Sequence, residues 1–565
     1  MSSMNKVRLQ NRWLWVATVG FILFLLLQVF PISGQFFTIN SASTLTRSEV
    51  ENRAYELAES QFGIHRHNVV RANVTHISNS AATGYLSKNE LLNVYDDKFE
   101  LTQPTDAYAV DLLLNDSTQE TLRLYLHMAT GDLTAWESLG GSRQTSSPLS
   151  GEQLVSSATD FVRTWGLLPS TSQWHASALE DGSVKFTAQQ SNLAEANVWV
   201  NVRLPMDGEQ IASWQRGAIT YGIDLPESFT NYLKEQHSIA FQLSKYGYIV
   251  PHIILIFCAI VYAGSYSGFS TYKRGLFLSA LFLVLYLVVA YTWLPGNRAE
   301  MILPGSLVND DAVKGVLQVS IVIYIAMALL TYFSSVAGDG LWKSMGRTLW
   351  PRWRESNYGA TVLQNMKDGY MLAFILLGAQ SVLLLVLSLS IGSFGASDAS
   401  QSTYNMTLPW LLPLLAWCAG ISEELQSRFF GIALFRRWLI GGVKLVFRRT
   451  PSEQGLRTIT FIAMVPPGLL WALGHVGYAV YPVYTRLIEL VILALLFGWF
   501  MLRFGLITVI FAHVTLDAIL MGVQLMFDGM PGSFYSGVFS LFMPALVGIA
   551  IWLLHGVWRS RQASI

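Results

Sequence analysis

Residues 421–428 read Ile421-Ser422-Glu423-Glu424-Leu425-Gln426-Ser427-Arg428, inside an apolar run from 410 to 435. Two adjacent carboxylates, with an arginine four residues on, place charge where a membrane-spanning helix should be apolar. Each ionised side chain near a bilayer centre costs about 2.5–3.5 kcal/mol. Such residues face a protein interior or a water-filled cavity, and their default reading is a functional site. The run therefore predicts a bundle of membrane helices with a polar chamber inside it.

The rest of the chain agrees with a membrane protein. Its 565 residues are 52% hydrophobic and 13% charged, with a mean hydropathy of +0.38. That composition belongs to a polytopic membrane protein with one polar insertion. Net charge is zero, so nothing in the balance points to nucleic acid. The two cysteines, Cys258 and Cys418, both lie in apolar runs, which leaves the polar insertion without a disulfide or a cysteine zinc site.

A spanning helix needs about 20 mostly apolar residues. Ten runs qualify: 13–30, 247–263, 275–293, 315–336, 370–392, 410–435, 458–480, 487–502, 504–524 and 537–558. The first reads as an anchor. If the N-terminus is cytoplasmic, alternation collects 19 lysines and arginines on the cytoplasmic side, among them Lys273, Arg274, Arg436 and Arg437. The short outer loops carry only Arg298, Lys314 and Arg486. The positive-inside rule thus places both termini inside and residues 31–246 outside, in a cell membrane, with a bacterial inner membrane suiting export without disulfides.

Residues 31–246 hold 14 basic and 24 acidic residues and show a weak internal repeat. Ser48-Glu49-Val50 opens a helical pattern through Ala54, Leu57, Ala58 and Phe62, and Gly151-Glu152 opens another through Val155, Ala158, Phe161 and Trp165. Alternating strand patterns follow at 122–126 and 131–136, then at 198–202 and 207–214, each pair around a turn. Each copy reads as a helix on an antiparallel sheet and resembles PepSY-type modules. That resemblance implies a role in recruiting or regulating a substrate. His65, His67, His76, His127, His175 and His237 in this segment are expected at its surface.

The predicted fold is an all-α polytopic membrane protein of about ten transmembrane helices, with an α+β extracytoplasmic domain between helices 1 and 2. Its parts are a tail and anchor (1–30), the outer domain (31–246), helices 2–4 with a basic loop (247–369) and a catalytic membrane domain (370–565).

Three motifs occur in order in the last part: Glu423-Glu424-x-x-x-Arg428, Trp471-x-x-x-His475 and His513-x-x-x-Asp517. Residues four apart share a helix face. Three helices can thus present these side chains to one cavity. The set resembles the CAAX protease and bacteriocin-processing (CPBP) family, which includes the type II prenyl endopeptidases. The resemblance spans roughly 370–530. It implies that Glu423 activates water, Glu424 pairs with Arg428, His475 polarises the water and His513 stabilises the oxyanion. Trp471 stands in place of the usual Phe, as an aromatic wall. Asp517 stands where the best-known members have Asn and is expected to orient His513.

The expected activity is hydrolysis of a peptide bond in a membrane-associated protein or peptide, prenylated or not. No cofactor is expected. In a metal-dependent variant Glu423, His475, His513 and Asp517 would ligate zinc. The alternative is a catalytically silent binding, immunity or scaffold protein, and more distantly a proton-coupled transporter.

Overall fold

The computed structural model describes residues 11–31, 43–115, 120–140, 151–168, 173–204 and 217–563. After a first apolar helix, α1 (Asn11–Phe24), the chain builds an eight-stranded sheet. Its strands are β1 (Val69–Ser78), β2 (Asp106–Leu114), β3 (Thr121–His127), β4 (Leu133–Leu139), β5 (Gln173–Ala178), β6 (Val184–Gln189), β7 (Asn197–Arg203) and β8 (Ala218–Asp224). Every pairing is antiparallel, in the order β1-β2-β3-β4-β8-β7-β6-β5. The order is two four-stranded meanders joined edge to edge between β4 and β8.

A helix precedes each meander. α2 (Arg47–Phe62) starts at a capping box in which Thr46 and Glu49 satisfy each other's backbone N–H, and it stops at Gly63 in the left-handed conformation. Between β1 and β2 come α3 (Ser80–Lys88) and α4 (Leu92–Phe99), and before β5 comes α5 (Glu152–Trp165). The helical pattern read at 48–62 buries Ala54, Leu57, Ala58 and Phe62 as expected. α2 and α5 share one face of the sheet, where Phe62, Trp136 and Trp165 meet with ring centroids 5.0–5.5 Å apart. Each such aromatic pair contributes about 0.5–1.5 kcal/mol beyond its buried area.

The hairpin read at 122–126 and 131–136 is β3–β4. The second, with its return at 207–214, has that return outside the described residues. β7 pairs instead with β6 and β8, which the alternation did not reveal. Two histidines expected at the surface are buried. His76 lies in β1, and His127 uses Nδ1 to accept the amides of Ala129 and Thr130 in the β3–β4 turn. His65 and His67 do stand exposed, stacked 5.5 Å apart.

Glu100, at the end of α4, is half-buried and its Oε2 has no partner. Burial, then repulsion from Asp96 and Asp106, raises its carboxyl pKa to about 8. The unfolded chain ionises this group near 4.5, so between pH 4.5 and 8 the unfolded state holds fewer protons. Stability should therefore fall as pH rises through that window. Glu100→Gln should flatten the slope and raise the unfolding temperature at pH 8.5 above wild type. Equal temperatures there would refute the assignment.

The membrane part begins with α6 (Glu227–Gln242), which runs through a π-helical stretch (Leu243–Ile249) into α7 (Val250–Ser265). The result is one 39-residue helix. Then follow α8 (Tyr272–Thr292), the short α9 (Leu294–Ala299), α10 (Asp310–Ser344) and α11 (Tyr358–Ile391). α12 (Leu414–Glu423) passes through a second π-helical stretch (Glu424–Gly431) into α13 (Ile432–Phe447). α14 (Glu453–Ile462), α15 (Val465–Leu473), α16 (Tyr484–Phe504), α17 (Leu506–Met526) and α18 (Ser533–Ala563) complete the bundle.

Among the described residues nine helices are long and apolar enough to cross a membrane, where the sequence pointed to ten. The difference is the run at 410–435. It is helical from Leu414 to Phe447, but no stretch of it long enough to cross a bilayer holds fewer than three charged residues. The predicted span at 458–480 is broken at Ala463-Met464, just ahead of Pro466-Pro467, and ends at Leu473.

Gly505 alone joins α16 to α17, with φ +95° and a Cβ position 3.1 Å from the Leu349 carbonyl oxygen, so only glycine suits this turn. α1 crosses α11 where Gly20 meets Gly378 too closely for any Cβ.

Successive helices alternate in direction. The loops at 292–310, 392–413, 474–483 and 527–532 gather beside the sheet, while 266–271, 345–357, 448–452, the start of α1 and the end of α18 lie on the other face. A buried ion ladder fastens the sheet to the first of these loops. Asp111 on β2 accepts from Arg123 Nε at 2.6 Å and from Arg298 of α9 at 2.7 Å. Arg298 also reaches Asp310 at 2.6 Å, and Glu137 of β4 accepts the Gly305 amide at 2.8 Å. Breaking a buried pair costs about 3–5 kcal/mol when a charge is orphaned. Asp111 keeps Arg123, so Arg298→Ala should cost about 1–3 kcal/mol. Proteolysis at the sheet–helix junction should then accelerate relative to wild type; unchanged rates would show the ladder to be dispensable.

Candidate active site

The three motifs converge on a cavity of about 530 Å³ whose walls include Glu423, Trp471, His475, His513 and Asp517. Its opposite walls come from α8 and α10, and Asn297 of α9, Glu300, Ser400 and Gln401 also line it, so the cavity extends to the side of the bundle beside the sheet.

Glu423 is the last residue of α12, and Glu424 opens the π-helical stretch. π-turns recur at functional sites because the widened turn re-aims side chains. Here two neighbouring carboxylates part company. Glu423 keeps 22% of its side chain exposed to the cavity, whereas Glu424 is fully buried. Glu423 Oε2 accepts the indole N–H of Trp471. His475 Nε2 lies 3.9 Å from Glu423 Oε1, and His513 Nε2 lies 3.8 Å from Oε2.

The early end of α15 explains how His475 arrives here. It sits past the helix, in the turn after Leu473, rather than on the same helix as Trp471. Its Nδ1 donates to the Trp471 carbonyl at 2.8 Å. That bond fixes the tautomer and leaves Nε2 facing Glu423.

His513, eight residues into α17, donates from Nδ1 to Glu424 Oε1 at 2.7 Å. Its Nε2 is 3.5 Å from Asp517 Oδ2. Glu424, rather than Asp517, holds the hydrogen bond that orients this ring. Arg428 Nη1 lies 3.4 Å from Glu424 Oε1, beyond good hydrogen-bond geometry. Its guanidinium is buried 4.0 Å from the Trp471 ring centroid and 5.0 Å from that of Phe497. Trp471 is thus more than a wall: one ring donates to Glu423 and covers Arg428.

Other residues in the cavity wall were not singled out from sequence. Arg486 and Glu489, in the first turns of α16, are ion-paired at 2.8 Å, and Arg486 lines the cavity. Glu489 is fully buried and accepts from Gln380 of α11 at 2.7 Å. Tyr478 stacks near His475 with centroids 5.9 Å apart. A charge pair opening an apolar helix was the available signal.

Among the described residues no three or more His, Cys, Asp or Glu side chains are grouped so as to hold a metal ion. The four donors named for zinc do not form such a group as they stand.

Residues 405–519, about a fifth of the chain, match the family described as Type II CAAX prenyl endopeptidase Rce1-like. The match brackets all three motifs. This segment, which lies at the polar cavity of a multi-pass helical frame, is thus similar to CAAX-type membrane proteases, in agreement with the CPBP resemblance. No curated protein and no solved structure matches the chain.

Proposed function

We propose that the chain is an intramembrane endopeptidase that hydrolyses a peptide bond of a membrane-associated protein or peptide with water activated by Glu423. The observation that carries this reading is the convergence of Glu423, His475 and His513 at one cavity within the Rce1-like segment. The gaps of 3.9 and 3.8 Å are too long for direct hydrogen bonds. They suit one water touching all three groups. As that water attacks the carbonyl carbon, Glu423 takes its proton and later passes it to the leaving amine. His475 Nε2 holds the water in line. Glu424 fixes His513, whose Nε2 faces the developing oxyanion; the doubly protonated ring then has a carboxylate on each side, with Asp517 beside Nε2.

The basic loops lie on the face away from the sheet, so the positive-inside rule makes that face cytoplasmic. The cavity then extends to the extracytoplasmic side. This favours an exported or membrane-anchored substrate over a cytoplasmic prenylated tail.

The test is cleavage of membrane-anchored and prenylated peptides by purified protein in liposomes, with Glu423→Ala and with chelator as separate arms. Cleavage lost in Glu423→Ala and indifferent to chelator supports the reading. Loss with chelator moves the mechanism to zinc. No cleavage of any peptide, with a Glu423→Ala chain that still functions in cells, moves it to a scaffold or immunity role.

Trp471→Phe keeps the ring over Arg428 and deletes the donor to Glu423. A hydrogen bond to a charged group is worth about 1.5–3 kcal/mol, so kcat should fall about tenfold or more with KM little changed. An unaltered kcat would show that the indole N–H does not position Glu423.

A further inference from the structure

A second cavity, of about 670 Å³, lies between α13, α14 and α16 and shares no lining residue with the catalytic one. Its polar end holds Arg347, from the loop after α10, with Arg436 of α13 and Arg457 and Thr460 of α14. Phe461 and Met464 form one apolar wall, and Ile492, Leu495, Leu496 and Trp499 of α16 form the other. No carboxylate lines it among the described residues.

Basic side chains belong on this face by the positive-inside rule, and ordinarily they snorkel to water. Arg347 and Arg436 are placed differently. Both are half-buried, and both lie beside the ring of the buried Trp342, 5.4 and 6.0 Å from its centroid. Their bonds go to neutral acceptors. Arg347 Nη2 donates to the Leu502 carbonyl; Arg436 donates from Nε to Thr460 Oγ1 at 2.9 Å and from Nη1 to Met345 Sδ at 2.7 Å. Neither forms an ion pair among the described residues. Burial, then the charge of Arg436, holds the Arg347 guanidinium below the usual arginine range. Two like charges brought together, partly desolvated and without a carboxylate, are a preformed seat for an anion.

The apolar part of the cavity says which anion. Phe461, Ile492 and Trp499 are exposed along it. From Leu502, whose carbonyl Arg347 holds, to Ile492 is about 15 Å of helix at about 1.5 Å per residue. A hydrocarbon core is about 30 Å thick, so the groove is one leaflet deep. Arg503 lies 5.7 Å over the Trp499 ring, an arrangement suited to headgroup level. Positive charge at the headgroups above an apolar groove one leaflet deep matches a lipid with an anionic head. A free phosphate would leave the groove empty.

We propose that this cavity binds an anionic phospholipid of the leaflet away from the sheet, with its phosphate between Arg347 and Arg436 and an acyl chain along α16 between Phe461 and Trp499. The lipid thereby clamps α14 to α16, the helices that flank α15 and its Trp471 in the chain. The proposal stands whether or not Glu423 activates water.

The test reads binding. The purified full chain, delipidated in detergent, is titrated with dioleoyl phosphatidylglycerol and separately with dioleoyl phosphatidylcholine, and bound lipid is counted by native mass spectrometry. One phosphatidylglycerol should bind about tenfold or more tighter than phosphatidylcholine, and Arg347→Gln/Arg436→Gln should abolish the preference. Glycerol 3-phosphate should not compete, since it lacks the chain that fills the groove. A phosphatidylglycerol with a diazirine in one acyl chain should label the peptides containing Phe461 and Trp499. Equal binding of the two lipids, a preference kept by the double variant, competition by glycerol 3-phosphate, or label spread evenly over the bundle would each overturn the proposal. The labelling uses the unsubstituted chain, so it decides even if the double variant folds poorly.

Discussion

Glu423→Gln is expected to lower turnover by about 10²–10⁴-fold while leaving the fold intact. General-base catalysis by a placed side chain contributes about that range. The amide has the size of the carboxylate, and its oxygen still accepts the Trp471 N–H, so the packing around residue 423 is retained. What is lost is the basicity, in the position from which Glu423 reaches both imidazoles across the cavity. Single-turnover cleavage of a membrane-anchored peptide, paired with the thermal unfolding midpoint, checks both halves. A variant within threefold of wild type would mean that water is activated elsewhere. A midpoint lowered by many degrees would mean that the charge supports the fold rather than the reaction.

The second large effect falls on stability. Arg428 is 2% exposed, none of its three guanidinium nitrogens has a hydrogen-bond partner, and its charge answers that of the fully buried Glu424. Arg428→Met keeps much of the volume between Trp471 and Phe497 but leaves the buried Glu424 carboxylate partly stranded, with His513 Nδ1 its remaining partner. Because Glu424 keeps His513, the lost ion pair should cost about 1–3 kcal/mol, and the lost cation–π contact adds about 1–2 kcal/mol. The unfolding midpoint should fall sharply. Adding Glu424→Gln should restore part of the loss, because the stranded charge is then gone. An Arg428→Met protein as stable as wild type, or a double variant no better than the single, would show that Glu424 is not balanced by Arg428.

Much of this site was readable from sequence, because charge in an apolar run is conspicuous and residues four apart fall on one face. Glu423, His513 and Asp517 reach one cavity for that reason, with Glu424 and Arg428 packed behind its wall. The pattern at Trp471 shows only an aromatic, so its N–H bond to Glu423 needed the partner helix to be in place. His475 was expected on a helix and sits in a turn, because where α15 stops depends on its packing beside Tyr248, whose ring leaves no room for a Cβ at Gly474. Gln380 and Glu489 meet across 109 positions, a distance no local pattern spans. The same limit applied to the sheet. Hairpins such as β3–β4 show in alternation, whereas the β4–β8 seam joins strands about 80 residues apart and is set by tertiary packing around Trp136 and Ile219. His76 and His127 are buried by that packing too, and their flanking residues gave no sign of it.

The π-helical stretch from Glu424 to Gly431 has a geometric corollary. A π-turn is an α-helix holding one surplus residue. Each residue of an α-helix advances the side-chain direction by about 100°. The wider turn absorbs most of that advance, so excising a single position between Leu425 and Phe430 would wind this stretch back into α-helix and leave the later half close to its present phase. Arg436 would still face Thr460, which it now bonds at 2.9 Å, while the side chains inside the stretch would be re-aimed. The surplus residue therefore acts as slack between two halves of one helix: the half that presents Glu423 to the cavity, and the half that seats the helix on the far face of the bundle.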